Sequence, residues 1–261
     1  MFCVLWFFPV YWMINTAFKP RSQAMTPTPR FLPTSPTLAN FDAAINQTAF
    51  ARDLRNSLVV VGGTVALSVV LGMFAAAALT RFRFRGRRTI MVAILVVQML
   101  PGTALLIPTF IVFNKAGLLG TYTGLILAYL ALVLPFSIWV MRGFFVAIPV
   151  EIEEAARIDG ASTWQVLSRI LFPLVVPGVI ASGIFAFIAA WNDYLIAFTF
   201  MKDQSHYTLP VWLASFSTPL TGTDFSGQMA GSVVFSLPVV LFFMIIQRKL
   251  VSGVSAGAVK G

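Results

Sequence analysis

Residues 154–160 read Glu154-Ala155-Ala156-Arg157-Ile158-Asp159-Gly160, and after nine more residues the chain continues Ile170-Leu171-Phe172-Pro173. This stretch, taken with its flanks as 149–177, is the one long polar interruption in an otherwise apolar chain. Pro149 suits a first helical position, and Glu151, Glu153 and Glu154 place negative charge in the first turn, where the helix dipole favours it. Gly160 offers the left-handed stop that ends a helix, and Ser162 with Gln165 three residues on makes a capping-box start for another. The spacing therefore predicts helix, sharp turn, helix. In the second helix Trp164, Leu167 and Leu171, with Val166 and Ile170, recur at helical spacing and define one apolar face. Ala155 and Ala156 leave room for close packing.

Glu-Ala-Ala, three residues, Gly, nine residues and Ile-x-Leu-Pro is the signature loop of bacterial ABC importer permeases, and 154–173 resembles it, with Phe172 in place of the usual Leu. Within that family the chain is similar to the carbohydrate, maltose-permease-like class. The similarity lies in Ala190-Trp191-Asn192-Asp193-Tyr194-Leu195 and in the ending from Gln247-Arg248 to Gly257-Ala258-Val259-Lys260-Gly261, and it covers nearly the whole chain. The resemblance implies a permease subunit that forms the pathway for a sugar or oligosaccharide. Its implied partners are two ATP-binding cassette subunits, a second permease subunit and an extracytoplasmic substrate-binding protein. ATP and Mg would sit on the ATPase partner, and this chain would carry no cofactor or metal of its own. Glu154, Ala155, Ala156, Asp159, Gly160, Ile170 and Pro173 are the residues implied for ATPase coupling. A glycerol-phosphate-type solute remains an alternative, because such importers share these motifs.

Bulk properties agree with a membrane protein: 58% of the 261 residues are hydrophobic, 10% are charged, and the mean hydropathy is +0.87. A net charge of +9 raises the possibility of nucleic-acid binding. Five of the 18 basic residues, however, are Arg81, Arg83, Arg85, Arg87 and Arg88, set between two apolar runs as in a cytoplasmic loop. That placement accounts for the basic cluster, so nucleic acid is not expected as a partner. The single Cys3 forbids an intrachain disulfide.

Six spans are expected: about 1–18, 57–80, 89–113, 122–141, 173–200 and 229–246. The first contains Pro9 and the bulky Trp6, Phe7, Phe8, Tyr11 and Trp12, has no cleavage site, and reads as an uncleaved span. The resemblance implies a short cytoplasmic lead before it, so Met1 is expected to follow a longer natural start. Five prolines between 20 and 36 favour an extended opening, 41–50 is expected along the membrane surface, and Asn56 or Ser57 is expected to cap the second span. Gly62, Gly63 and Gly72 should permit close helix packing there. Pro101-Gly102 and Pro108 interrupt the third span, Pro135 the fourth, Pro177 the fifth and Pro238 the sixth. They serve either as gating kinks or as fixed bends. A polar loop, 201–226, carries the sole His206, and 247–261 forms a basic tail of small residues.

Lys115 stands alone between spans three and four while five arginines lie between spans two and three, so both termini and the signature loop are expected in the cytoplasm of a bacterial cell, the protein being multi-pass in the inner membrane. The permease domain is taken as 1–261 and the coupling loop as 149–177. Gly86-Arg87-Arg88-Thr89 lacks the Lys and the upstream Gly of a phosphate loop, so this chain is not the ATPase, and one His with one Cys builds neither a triad nor a zinc site. Asn192, Asp193, Gln98 and Thr103 are possible pathway residues, with Thr109 and Asn114 beside them. For Asp193 two readings stand: an acid in a span marks function, or it holds a helix end at the outer interface. A self-contained channel or secondary transporter would show several intramembrane ionisable residues, and only Asp193 qualifies.

Overall fold

The computed structural model describes residues 2–26, 28–46, 49–218 and 222–255. Among them the fold is helical save for one two-residue antiparallel ladder, Ser217–Thr218 (β1) against Gly222–Thr223 (β2). The chain divides into two compact units, 1–57 with 203–245 and 58–202 with 246–261.

In the first unit α1 (Phe2–Ala17) leads into the proline-rich segment, which contains one helical turn, α2 (Arg21–Ala24), and then α3 (Ala39–Asn46). Although irregular, this segment is pinned. The Lys19 ammonium donates to Arg30 O at 2.7 Å and lies 4.5 Å over the Trp12 ring, and the Asn40 amide donates to Ala17 O and Lys19 O at 2.8 Å. Burial, assisted by Arg30, pushes the Lys19 pKa down. The second long helix, α4 (Phe50–Arg81), starts earlier than expected, so Asn56 and Ser57 are interior residues and not caps. Their side chains serve a distant loop: Asn56 Nδ2 donates to Ser205 O and Tyr207 O, and Ser57 Oγ accepts from Leu209 N. At about 1.5 Å per residue the 32-residue α4 reaches ~48 Å, so it extends well past a hydrocarbon core. The loop 203–224 folds as a 3₁₀ turn (Gln204–His206), α13 (Leu209–Ala214) and the β1–β2 ladder. The last helix, α14 (Phe225–Ser255), carries the expected tail as helix to Ser255, and 256–261 lie outside the described residues.

In the second unit the expected third span is two helices, α5 (Arg87–Met99) and α6 (Gly102–Lys115), bent by 106° at Leu100-Pro101. Pro101 sits at the cap of α6, where its missing N–H costs nothing, so the proline ends one helix and starts another. The fourth span, α7 (Tyr122–Ala147), is continuous through Pro135. It packs closely on α4: a Cβ on Gly63 would meet Ile126 at 2.8 Å, and one on Gly72 would meet Ser137 at 3.3 Å, whereas Gly62 has nothing within 4 Å. The fifth span, α11 (Val176–Asn192), ends at Asp193, and a short α12 (Leu195–Phe200) completes it. Pro177 lies in the first turn of α11 and is a helix start, not a kink within one. Among the described residues three helical stretches are long and apolar enough to cross a membrane unaided, Phe50–Arg81, Tyr122–Ala147 and Phe225–Gln247; the bent pairs 87–115 and 163–192 and the 16-residue α1 supply other apolar segments. The chain is an all-α polytopic membrane protein with a helix–turn–helix between its fourth and fifth spans.

Candidate functional site

The helix–turn–helix begins with α8 (Glu151–Ile158), which has Glu151, Glu153 and Glu154 in its first turn; Pro149 lies two residues before it. Gly160 turns the chain at φ +85°, a conformation that a Cβ would strain. Ser162 caps α9 (Thr163–Gln165) through the reciprocal bonds of a capping box, with Gln165 Oε1 accepting from Ser162 N at 2.7 Å. The helix then continues as a π-helical segment, Val166–Leu171, and α10 (Phe172–Leu174), before bending by 66° into α11.

That π segment changes which side chains share a face. With i→i+5 bonding Val166 and Leu171 fall in line, and both are buried. They join Ala76, Ala77, Met141, Phe145 and Val175 in a core beneath the loop. Trp164, placed on that face by a regular helical period, is instead mostly exposed, with its ring near Phe74 and Phe172.

The two faces of α8 differ sharply. Ala156 packs inward against the core, and Glu153 is buried in an ion pair with Arg81, the last residue of α4. Ile152 (41% exposed), Ala155 and Ile158 (87% exposed) form an outward stripe at i, i+3 and i+6. Glu154, Asp159 and Gly160 are exposed on the same hairpin, whereas Ile170 is half-buried and Pro173 exposed further along, towards the bend. Of the seven residues implied for coupling, Glu154, Ala155, Ala156, Asp159 and Gly160 share the hairpin while Ile170 and Pro173 do not, and the sequence did not pair Arg81 with Glu153 or mark Ile158. An isoleucine two residues before a helix-ending glycine was the available signal for the last.

The four candidate pathway residues do not converge. A cavity of about 410 Å³ lies between α5–α6, α7 and α11–α12, walled mainly by Leu105, Leu132, Phe136, Phe185 and other apolar side chains. Gln98 and Thr109 line it; Thr103, Asn192 and Asp193 do not. Thr109 Oγ1 already donates to Leu105 O at 2.6 Å. Asn192 is exposed and donates to Ile188 O of its own helix. Asp193 Oδ1 accepts from Ile196 N and Ala197 N, so it caps α12, and it also takes the Tyr129 hydroxyl at 2.9 Å. The helix-holding reading of Asp193 therefore matches its bonds. Tyr129 went unnoticed, although a phenol buried in an apolar span must find an acceptor.

Residues 68–256 match the family described as binding-protein-dependent transport system inner membrane component. The chain belongs to that family. Its permease relatives include the diacetylchitobiose uptake system permease protein DasC of Streptomyces coelicolor, 39% identical over 97% of this chain and 92% of that protein. Another is the trehalose transport system permease protein SugB of Mycobacterium tuberculosis, 35% identical over 97% of this chain and 92% of its own length. The permease fold also matches a solved bacterial ABC transporter involved in the import of the acidic polysaccharide alginate. There the TM-score is 0.83 at 23% identity, covering 95% of this chain and 91% of that one. This permease is accordingly a membrane-embedded transport component.

Proposed function

We propose that the chain is the sugar- or oligosaccharide-translocating permease of an ATP-driven importer, and that its 149–177 loop docks on a separate ATPase. The observation that carries this is the outward stripe Ile152, Ala155 and Ile158 on a hairpin whose other side is fixed to the chain's own core. An isoleucine left 87% exposed on a rigid, glycine-terminated hairpin outside the membrane spans fits a partner's groove better than it fits water. The naming of relatives for diacetylchitobiose and trehalose supports the substrate class.

On this reading the whole chain, 1–261, is one permease domain, with both termini and the loop in the cytoplasm. ATP and Mg belong to the two ATPase subunits, a second permease subunit completes the pathway, and an extracytoplasmic binding protein delivers the solute. Glu154, Ala155, Asp159 and Gly160 present the docking surface, while Ala156, Ile170 and Pro173 set its angle to the fifth span.

Reconstitution tests the reading. Proteoliposomes holding the permease pair, the ATPase and a sugar-loaded binding protein should accumulate sugar with ATP, and the permease alone should not. Uphill sugar uptake by this chain alone would refute the reading, and uptake of a glycerol phosphate in preference to any sugar would correct the substrate.

A further inference from the structure

Beneath the coupling hairpin three helical elements meet at a single guanidinium. Arg81 ends α4, and its side chain, 11% exposed, forms an ion pair through Nε with Glu153 Oε1 in the first turn of α8, itself 5% exposed. The same guanidinium donates through an η nitrogen to Ile148 O at 3.0 Å, the capping residue of α7. One side chain thus grips the end of the second span, the end of the fourth and the start of the coupling helix.

On one side of the pair lies an apolar core, Ala76, Ala77, Met141, Phe145, Val166, Leu171 and Val175, with Ala156 and Leu167 packed against it, and on the other a cleft lined by Arg83, Arg157, Ser162 and Thr163. Apolar burial is non-directional, so such a core resists separation of the helices more than it resists their sliding. The guanidinium's hydrogen bond to Ile148 O is directional and resists sliding, and the ion pair ties the same side chain to α8. A buried ion pair is a poor means of stabilising a fold, since well-packed apolar residues usually do as well or better. Its presence at this junction calls for a reason other than stability.

We infer that Arg81 is a positioning residue for energy coupling, locking α8 in register with α4 so that movement of the coupling helix is passed into the membrane as a rigid displacement. The inference rests on the reading of α8 as the ATPase-docking helix. Arg81 touches neither solute nor nucleotide in this role. It acts through Glu153 and Ile148.

The test separates rigidity from folding in the assembled importer. Arg81→Met alone leaves the Glu153 charge buried and unpaired and is expected to reduce the yield of complex. The double variant Arg81→Met/Glu153→Leu removes both charges and should restore wild-type yield, yet sugar uptake per ATP hydrolysed should fall at least tenfold. Arg81→Lys keeps the charge but spans both acceptors less well, and should recover part of that ratio. The charge swap Arg81→Glu/Glu153→Arg should recover less, because Ile148 O would then face a carboxylate. A double apolar variant that transports with the wild-type ratio would overturn the inference, since the pair would then be structural only. Ile158→Glu, assayed alongside, addresses the underlying reading: if it keeps full ATPase binding and uptake, docking through α8 is wrong, whatever the Arg81 series shows.

Discussion

The Tyr129 hydroxyl donates to Asp193 Oδ1 at 2.9 Å, joining the first third of α7 to the break between α11 and α12. The same oxygen accepts the first free N–H groups of α12, from Ile196 and Ala197, at 3.0 and 3.1 Å. One carboxyl oxygen therefore ends the fifth span's main helix, starts its last turns and fastens both to α7. Losing a bond to such a group typically costs about 1.5–3 kcal/mol. Tyr129→Phe should lower the thermal stability of the purified permease by that order, Asp193→Leu by more, and Asp193→Asn by little, because its amide oxygen still accepts. If Asp193→Leu were as stable as wild type but inactive in uptake, the side chain would be a solute contact and not a clasp.

Ile158→Glu should leave folding untouched, because the side chain is 87% exposed. It should nonetheless reduce recovery of the ATPase with the tagged permease by roughly tenfold, about 1.4 kcal/mol of docking. Ala155→Trp, on the same outward stripe, should behave alike. Ala156→Trp should differ by damaging the permease itself, since Ala156 packs inward and overpacking costs about 1–3 kcal/mol. Co-purification set against melting temperature distinguishes the two classes of variant, and equal melting losses for Ala155→Trp and Ala156→Trp would contradict the two-faced helix.

Gly160 sits at φ +85° with nothing within 4 Å of an added Cβ, so space is no obstacle and conformation is the whole effect. Gly160→Ala should cost about 1–2 kcal/mol and Gly160→Val more. Gly160→Asn, which tolerates the left-handed region, should retain most uptake. Uptake in the order Gly, Asn, Ala, Val is the expected series, and a flat series would remove the turn from the mechanism.

Topology is open to direct labelling. In a Cys3→Ser background, Arg85→Cys and Asp159→Cys should react with impermeant thiol reagents only from the cytoplasmic side, and Lys115→Cys only from the other. Labelling of Asp159→Cys from outside intact cells would invert the arrangement.

Local chemistry was legible in the sequence and longer-range chemistry was not. Ser162 with Gln165 and the Gly160 stop are decided by bonds within a few residues, and the hairpin they foretell is present. Asn56 and Ser57 have the right types for caps, but their partners, Ser205, Tyr207 and Leu209, are about 150 residues away, and α4 already begins at Phe50. The apolar face was read partly right: Val166 and Leu171, placed on it by helical spacing, are buried in line with the π register, whereas Trp164, placed on it too, is mostly exposed. Arg81 looked like one of five loop arginines because nothing nearby in sequence marks Glu153 as its partner. Pro101-Gly102 announced an interruption, but a dipeptide does not carry the angle.

That angle bears on how the protein is made. With 13 and 14 residues, α5 and α6 each reach only about 20 Å, short of the ~30 Å hydrocarbon layer. Neither half is long enough to cross alone, and at the 106° bend the Leu100 N–H and the Pro101 carbonyl are satisfied by Val97 O and Ala104 N, one from each half. The nascent chain must therefore hold this segment at the insertion machinery, or carry it in as a straight rod, until α7 and α11 emerge to shelter it. Biosynthesis should pause or stay reversible between the third and fifth spans, and a chain truncated after Lys115 should be recognised by the cell as unfinished.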